Sequence, residues 1–275
     1  MNSSLIIAMN SMSAYQNKLD MIADNTANVD TVGYKKKTAS FADLINTTIN
    51  QPEDFTKDGR KTPLGFNQGW GARMTSLLTD FQQGTLQETN QWTDLAIEGN
   101  ALFQVMADED TIAYTRDGSF QVSINGAGEA ILTTSQGMPL VADLGDGSSG
   151  TIVIPNGYTV QISSDGSVLA TNNEETLTLG RLNLVSPVRP DMLTEVSDNL
   201  YAIAQGIDAE QVVQQTFAGA DSGISIRQGY LEKSNVDLTT ELTELVRAQR
   251  AYQLASLALS SSDNLMQISN NLRSS

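Results

Sequence analysis

The sequence contains no cysteine and no histidine among its 275 residues. Without cysteine, the chain cannot form disulfides, thiolate metal sites or a cysteine nucleophile. Without histidine, it lacks the commonest general base and the commonest metal ligand near neutral pH. The groups that remain for chemistry are carboxylates, lysines, tyrosines and hydroxyls. We therefore expect no cofactor, no metal site and no catalytic centre.

Basic residues are also scarce, with 16 Lys and Arg against 32 Asp and Glu and a formal net charge of -16. Most of the affinity for nucleic acid comes from neutralising phosphates with Lys and Arg, so nucleic acid is not an expected partner. For the same reason, we do not expect the chain to adhere to an anionic membrane surface.

Long apolar runs are the third absence. No run approaches the roughly 20 residues that span a bilayer, so membrane insertion is not expected. The short apolar patch at residues 5–9 has no basic residue before Lys18 and does not have the pattern of a secretory signal. If the protein leaves the cytoplasm, we expect it to do so without a cleaved signal peptide.

The first stretch of the chain has the spacing of a helix. Asn2, Ser3 or Ser4 can cap its start, and Asn28 and Gly33 are stop signals. Apolar or small residues recur at alternating intervals of three and four, which is the a/d pattern of a helix that packs along one side. The members of this line are Leu5, Ala8, Met12, Tyr15, Leu19 and Ile22.

The last stretch repeats the pattern. Asp237 or Thr239 can cap a helix that carries Glu241 and Glu244 in its first turns, where negative charge meets the positive end of the helix dipole. No proline or glycine interrupts residues 236–275. The main apolar line consists of Leu238, Leu242, Leu245, Ala248, Tyr252, Ala255, Leu259 and Met266, and an adjacent line holds Leu265, Ile268 and Leu272.

Neither terminal helix can bury its apolar line alone. In one interpretation, the two helices pack against each other as an antiparallel pair on their own domain. In the other, the ends stay disordered until partner chains cover them, as is common for marginal helices at chain termini. Periodicity leaves both interpretations open.

Between the two ends, the period of the apolar residues changes from 3.6 to 2. Residues 84–204 show alternating apolar positions, as at Phe103 and Val105, which is typical of strands. The dipeptides Asp117-Gly118, Asn125-Gly126 and Asp165-Gly166 supply the positive φ angles of tight hairpins. This segment is predicted to be an antiparallel β domain of short strands.

The predicted fold class is α+β, mainly β, with paired, coiled-coil-like N- and C-terminal α-helices and a central antiparallel β domain. Residues 1–34 with 235–275 are predicted to form a terminal helical assembly domain. Residues 35–83 with 205–234 are predicted to form an extended connector, because Gly, Pro and polar residues dominate there, with a short strand near 74–78. Residues 84–204 are the central β domain.

Candidate chemical sites in the sequence are weak. Asp94 with Glu98 and the acidic cluster at 108–110 could form a carboxylate pair, but solvated turns explain them more simply. The segment 143–147 has acidic residues and glycines but lacks the closing Glu of a calcium loop. The basic run at 35–37 is either a solvated helix end or a contact for acidic neighbours in an assembly.

Three segments together resemble the flagellar rod and hook protein family. The first is NTANVDTVGYK at residues 25–35. The second extends from QGTL at 83–86 through DLAIEG at 94–99 to YTRDGSF at 114–120. The third is GYLEKSNVD at 229–237, followed by QRAY at 249–252. Their order along both ends and the middle of the chain makes the resemblance specific.

The resemblance implies a structural protein of bacterial motility, a subunit of the flagellar basal-body rod. Copies would self-assemble into a helical tube that transmits torque from motor to hook. The implied partners are the chain itself, other rod and hook proteins and the type III export apparatus. The terminal helices would form the inner layer of the tube with the β domain outside, and Gly33 would let the chain turn out of that layer.

The implied assembly interface lies on the terminal helices and the turn that follows the first of them. Its candidate residues are Leu5, Met12, Tyr15, Leu19, Ile22, Asn25, Asn28, Gly33, Tyr34, Leu238, Leu242, Leu245, Arg250, Tyr252, Leu259 and Met266.

Within the family, the chain length and the triplet Asn199-Leu200-Tyr201 favour the distal-rod-like subfamily. A proximal rod or hook subunit is the alternative. A wall-degrading enzyme carried by the same organelle and a soluble adhesin are further alternatives from other functional classes.

Overall fold

The computed structural model describes residues 2–43, 47–49, 66–68, 72–108, 111–145, 149–172, 175–197, 199–204, 206–219 and 222–274. The fold is mixed helix and sheet, with strands in the majority and a helix at each end of the chain. This confirms the α+β prediction. Much of the predicted connector, including residues 50–65, lies outside the described residues, as do Glu109 and Asp110 of the acidic cluster and residues 146–147 of the glycine-rich segment.

The helices and strands are numbered along the chain. The helices are α1 (Asn2–Ala27), α2 (Ala209–Val212) and α3 (Leu238–Ser274), with a 3₁₀ turn at Pro190–Met192. The strands of the first half are β1 (Lys37–Asp43), β2 (Thr47–Ile49), β3 (Phe66–Gln68), β4 (Ala72–Thr79), β5 (Leu86–Glu88), β6 (Leu95–Glu98), β7 (Leu102–Asp108), β8 (Thr111–Thr115), β9 (Gln121–Ile124) and β10 (Ala130–Thr133). The strands of the second half are β11 (Val141–Asp143), β12 (Ser149–Thr151), β13 (Val153–Ile154), β14 (Thr159–Ile162), β15 (Ser167–Thr171), β16 (Thr176–Leu182), β17 (Leu184–Pro187), β18 (Leu193–Ser197), β19 (Leu200–Ile203), β20 (Val213–Thr216), β21 (Ser225–Gln228) and β22 (Tyr230–Glu232).

The chain divides into two compact units. The terminal unit comprises residues 1–26, 37–78 and 238–275, and the central unit comprises residues 27–36 and 79–237. The predicted three-part division of domains stays a prediction.

The terminal unit contains the two long helices. Neither α1 nor α3 contains proline or glycine, the two residues that most disfavour a helix interior. Side chains of the two helices meet near the start of α1 and in its C-terminal half: Ser262 Oγ donates to Ser4 Oγ at 3.4 Å, and Lys18 Nζ lies 2.8 Å from Glu244 Oε2. Because later residues of α1 meet earlier residues of α3, these contacts follow an antiparallel order. In the same unit β1 pairs with β4, and β2 pairs with β3.

The central unit is built from antiparallel sheets. A six-stranded sheet has the order β18-β19-β8-β7-β17-β20, and a five-stranded sheet has the order β12-β11-β16-β15-β14. A three-stranded sheet β13-β10-β9 and the pairs β21-β6 and β22-β5 complete the unit. Two of the predicted hairpins are present: Asn125 begins the turn after β9, and Ser163 begins the turn after β14, in which Gly166 has positive φ as predicted.

The core lies on both faces of strand β7. Phe103 and Val105 belong to the main apolar cluster, while Leu102 belongs to a second cluster with Tyr114. Successive side chains of a strand point to opposite faces, so a strand buried on both sides contributes to two clusters. Phe103 also packs edge-on against Phe120, with ring centroids 5.3 Å apart.

Two glycines differ from the expectation: Gly126 does not have positive φ, since its turn has Gly128 in that conformation, and Gly118 differs as well. Gly118 is not at a left-handed position: instead, a Cβ there would lie 1.6 Å from the carbonyl oxygen of Leu95, so the close approach of two backbones requires glycine. Residues 205–234, expected as connector, include β20, β21 and β22, which pair with β17, β6 and β5. The scarcity of apolar residues in those strands hid their pairing from the sequence pattern.

Candidate assembly interface

Helix α3 carries two lines of side chains that differ in burial. One line is covered and alternates in steps of four and three along the helix, which is a heptad spacing. Its members are Glu241, Leu245, Ala248, Tyr252, Ala255, Leu259, Ser262 and Met266, of which Glu241 and Ala248 are buried and the others are half-buried. This line occupies one side of the helix.

The other side of α3 is exposed and carries many apolar side chains between polar ones. Eight large apolar side chains of this helix are between 42 % and 74 % exposed. They are Leu238, Leu242, Val246, Leu254, Leu257, Leu265, Ile268 and Leu272. Large apolar side chains that are exposed in this number on one helix favour an interaction site over a solvated face.

Helix α1 shows the same contrast on a smaller scale. Ala8, Ala14 and Ile22 are buried, whereas Ile6 and Met9 are 37 % and 53 % exposed. The exposed side of this helix becomes polar toward its C-terminal end.

The structure places the candidate interface residues in three environments. Covered positions of the terminal unit are Leu5, Met12, Tyr15, Leu19, Ile22, Asn25, Leu245, Tyr252, Leu259 and Met266. Leu238, Leu242 and Arg250 are exposed. Asn28, Gly33 and Tyr34 lie in the central unit, where Gly33 and Tyr34 are buried. Leu238 and Leu242 therefore lie on the exposed side of α3, and Glu241 occupies the place on the covered line that the sequence pattern gave to an apolar residue.

Asn25 fixes the end of α1 within the terminal unit. Its side-chain amide is fully buried, donates to the carbonyl oxygen of Lys37 at 2.9 Å and accepts from the Lys37 backbone N–H at 2.9 Å. The same Nδ2 donates to Glu241 Oε2 at 3.4 Å. An amide can make this double contact with one residue because it holds a donor and an acceptor side by side.

Gly33 is a turn position, as predicted. Its φ is +70°, a region that side-chain-bearing residues rarely adopt, and its backbone N–H donates to the carbonyl oxygen of Glu232 at 2.8 Å. A Cβ at this position would lie 2.6 Å from the backbone nitrogen of Asp117. Glycine is required here by both the backbone angle and the space.

A buried cluster of three charges follows directly after this turn. Lys35 Nζ lies 2.7 Å from Glu232 Oε1, and Arg116 Nε lies 2.5 Å from Glu232 Oε2. All three side chains are at most 2 % exposed. The expectation that the basic run 35–37 is a solvated helix end is therefore wrong for Lys35, because its ammonium group has an internal carboxylate partner.

Backbone groups complete the charge cluster. Lys35 donates to the carbonyl oxygen of Gln82 at 2.7 Å, and the N–H of Gly84 donates to Glu232 Oε1 at 2.7 Å. Arg116 donates to the carbonyl oxygens of Ala101 and Gly99 as well. Burial lowers the pKa of Lys35, and the Glu232 carboxylate opposes that shift. A buried charge is tolerated only when such partners replace its hydration.

The side-chain amide of Asn235 hydrogen-bonds to two other segments of the central unit. Its Oδ1 accepts from the Lys36 N–H at 2.7 Å, and its Nδ2 donates to the carbonyl oxygens of Asp80 and Gln82 at 2.9 and 3.1 Å. Together with the charge cluster, this amide links three segments that are far apart in sequence, at Lys36, at residues 80–82 and at Asn235.

The carboxylates considered for catalysis have structural partners. Asp94 is buried and accepts from Thr89 Oγ1 at 2.6 Å. Glu98 accepts from Ser225 Oγ at 2.8 Å and pairs with Arg227 at 2.7 Å. These contacts hold turns and strands together.

Within the described part of the chain, no helix is long and apolar enough to cross a membrane.

Three family models match the sequence. The model for flagella basal body rod protein matches residues 5–35, the model for the D1 domain of flagellar hook protein FlgE/F/G matches 96–170, and the model for the C-terminal part of flagellar basal body rod FlgEFG protein matches 227–272.

Full-length relatives agree with these matches. The chain is 35 % identical to the flagellar basal-body rod protein FlgG of Borreliella burgdorferi, over 97 % of both chains. It is 32 % identical to FlgG of Bacillus subtilis over 98 % of both chains. It is 30 % identical to the flagellar hook-basal body complex protein FlhP of Bacillus subtilis, over 98 % of this chain and 99 % of the relative. The chain belongs to the flagellar rod and hook protein family.

This family is structural and not enzymatic, so this flagellar rod protein is a structural component of the basal body. The residues of the buried charge cluster are distributed over the regions that the family models match. Lys35, Arg116 and Glu232 come one each from the three matched regions. The same three residues lie in the three sequence segments that resemble the family, and that shared placement is the signal by which the cluster could have been found.

Proposed function

We propose that this rod protein polymerises with copies of itself, and with other rod and hook proteins, into the helical tube that transmits torque from the flagellar motor to the hook. The observation that carries the proposal is the exposed apolar side of α3, with its eight large side chains. At roughly 25 cal/mol per Å² of buried apolar area, covering such a surface by a neighbour is a strong driving force for association.

A helical tube needs an interface that does not close on itself. When two different surface patches meet and the rotation does not close, repetition generates a filament. The exposed sides of α1 and α3 supply two different patches on one copy. We propose that α1 and α3 pair in a coiled-coil-like manner, a pairing supported by the antiparallel order of their contacts and by the heptad spacing of the covered line.

In this proposal, residues 1–34 with 235–275 act as the assembly domain, residues 35–83 with 205–234 as the connector and residues 84–204 as the β domain. The candidate interface residues divide by role. Covered positions such as Leu245 and Tyr252 hold the helix pair, and exposed positions such as Leu242 and Arg250 meet neighbours.

We further propose a distal-rod-like position, supported by relatives named FlgG. The chain would reach that position through the flagellar export apparatus without cleavage of a signal peptide. The relative named for the hook-basal body complex keeps a proximal or hook-adjacent position as the second candidate.

The test replaces one exposed apolar side chain in each unit. Leu257 on α3 is 67 % exposed, and Val196 on β18 is 69 % exposed, so the two sites are matched in burial and differ in unit. We expect Leu257→Asp to leave the chain folded and to lower polymerisation by about 100-fold, because a carboxylate without a partner would be buried between copies. Val196→Asp should polymerise within about twofold of the wild type.

Sedimentation of polymer from the full-length chain, with circular dichroism as the folding control, measures both variants. Rods of normal length assembled from Leu257→Asp would show that the exposed side of α3 is not an assembly surface. Equal loss in both variants would show that the effect is not specific to α3.

A further inference from the structure

The exposed side of α1 changes from apolar to acidic along the helix. Ile6 and Met9 come first, and Asp20 and Asp24 follow near the C-terminal end of the helix. At 100° per residue these four positions lie within about 60° of one another, so they share one side. Asp24 also contacts Lys37 at 3.6 Å, and its side chain remains 63 % exposed.

The exposed side of α3 changes in the opposite sense. Arg247 and Arg250 lie in its N-terminal third, and Leu265 and Ile268 lie in its C-terminal third. These positions also fall within about 60° around the helix. Arg247 donates to Glu244 at 2.8 Å, yet its side chain is 72 % exposed.

The spacings on the two helices match. Ile6 and Asp24 are 18 positions apart, and so are Arg247 and Leu265. At 1.5 Å per residue, each separation is about 27 Å along the helix axis. Laid antiparallel, the two sides bring Asp24 opposite Arg247, Asp20 beside Arg250 and Ile6 opposite Leu265.

A single copy cannot make this match. Within one chain, α1 and α3 meet through Lys18 and Glu244, which lie on the covered sides of the two helices. The acidic side of α1 and the basic side of α3 are left exposed. A second copy of the chain presents the matching surface.

Net charge makes local complementarity necessary. Each copy carries a formal charge of -16, so two copies repel one another at long range. Opposite charges placed at the docking site lower that repulsion and fix the register of the contact. We propose that the exposed side of α1 in one copy docks antiparallel on the exposed side of α3 in the next copy, with Asp20 meeting Arg250 and Asp24 meeting Arg247. This inference rests on the proposed function and names the contact by which copies join.

A charge-swap cycle on the full-length chain tests the contact. We expect Asp20→Arg and Arg250→Glu each to raise the critical concentration for polymerisation by about tenfold, because each places like charges together. The combined variant should return to within about threefold of the wild type, since the pair is restored with reversed signs. The readout is the monomer concentration left after sedimentation of polymer.

Two control variants carry the same changes of net charge at exposed sites of the central unit. They are Arg189→Glu, directly before the 3₁₀ turn, and Asp191→Arg, within that turn. Both should polymerise as the wild type does. Salt is an independent readout: raising it should shift the critical concentration of the wild type upward relative to that of a chain with Asp20→Asn and Arg250→Gln, because only the wild type has the Asp20–Arg250 attraction to lose.

The outcomes separate this inference from the proposed function. Recovery in the combined variant supports the contact. Loss in both single variants without recovery would show that the two sides bind other surfaces, and the inference would be wrong while self-assembly stands. Normal polymerisation of Arg250→Glu would also overturn it. A wild-type chain that neither polymerises nor extends isolated basal bodies would overturn the proposed function together with the inference.

Discussion

The central and terminal units hold their charged side chains in opposite ways. Lys35 and Glu232 of the central unit lie 2.7 Å apart with side chains 1 % exposed. Lys18 and Glu244 of the terminal unit lie 2.8 Å apart with side chains 27 % and 32 % exposed. The distances are alike, but solvent screening makes the energies differ, because water weakens the exposed pair and is excluded from the buried one.

Apolar side chains follow the same division. The central unit buries many large side chains in two clusters, as at Phe103 and Leu102, and exposes others such as Val196. Among the described side chains of α3, no large apolar side chain is buried and eight are exposed. A folding unit stabilises itself by burying such surface, and an assembling unit keeps it for its neighbours. In the proposed assembly, the central unit would be complete in one copy and the terminal unit would be completed by neighbouring copies.

Removal of the central carboxylate should have the largest effect on stability. Glu232→Ala leaves Lys35 and Arg116 buried without their shared partner, and we expect a loss of about 3–5 kcal/mol in the free energy of unfolding. Chemical denaturation followed by circular dichroism measures it.

Glu98→Ala is the matched control, because Glu98 also pairs with an arginine but that pair is 35 % and 49 % exposed. Its expected loss is about 0–1 kcal/mol. A loss below about 1 kcal/mol for Glu232→Ala as well would contradict the distinction between buried and exposed charges.

The turn before the charge cluster gives the next largest effect. Gly33→Ala adds a left-handed strain and a clash with the backbone of Asp117, so we expect a loss of about 2–4 kcal/mol in the free energy of unfolding. Gly128 also has positive φ, but a Cβ added there would have no heavy atom within 4 Å. Gly128→Ala should therefore lose only about 1 kcal/mol. Thermal unfolding of the two variants compares them, and equal losses would mean that the close contact at Gly33 has no cost.

The smallest effect belongs to the exposed pair of the terminal unit. Lys18, which donates a hydrogen bond to Glu244, and Arg247 together hold the pKa of Glu244 below its ordinary value of 4.5. Because the pKa is lowered in the folded chain, the stabilisation is complete above the ordinary value and is lost as the pH falls through the folded value. Lys18→Met should raise the pKa of Glu244 toward 4.5.

Carbon-detected NMR titration of the carboxyl groups measures this shift. Glu98 is the internal control, since Ser225 and Arg227 lower its pKa and neither contacts Lys18. An unchanged Glu244 titration in Lys18→Met would show that the contact between the helices is absent in solution.

Much of the terminal unit could be predicted from the sequence. The heptad spacing of Leu245, Ala248, Tyr252 and Leu259 marks the covered line of α3, because a helix repeats its sides at a fixed angle. The exposure of Leu238 and Leu242 was harder to predict, because at the N-terminal end of α3 the buried residue is Glu241 and not one of these leucines. Hydrogen bonding from Asn25 lets a carboxylate occupy that place.

The central unit was harder to predict in its contacts than in its class. Alternation and Gly-containing turns indicated short antiparallel strands, and the structure has them. The burial of Lys35 could not be predicted from the local sequence pattern, because a basic run has the same pattern whether it is solvated or paired. Its partner Glu232 is 197 residues away in sequence, a separation that no local pattern spans.

Local sequence patterns were enough to establish the helical ends, the strand-rich middle, the need for glycine at residue 33 and, through the three family segments, the structural role. These properties depend on local periodicity, backbone angles and composition. Tertiary structure alone decided that three charges converge out of solvent and that one side of α3 stays exposed. Both results depend on which distant segments exclude water from which side chains, and that is a property of the folded chain as a whole.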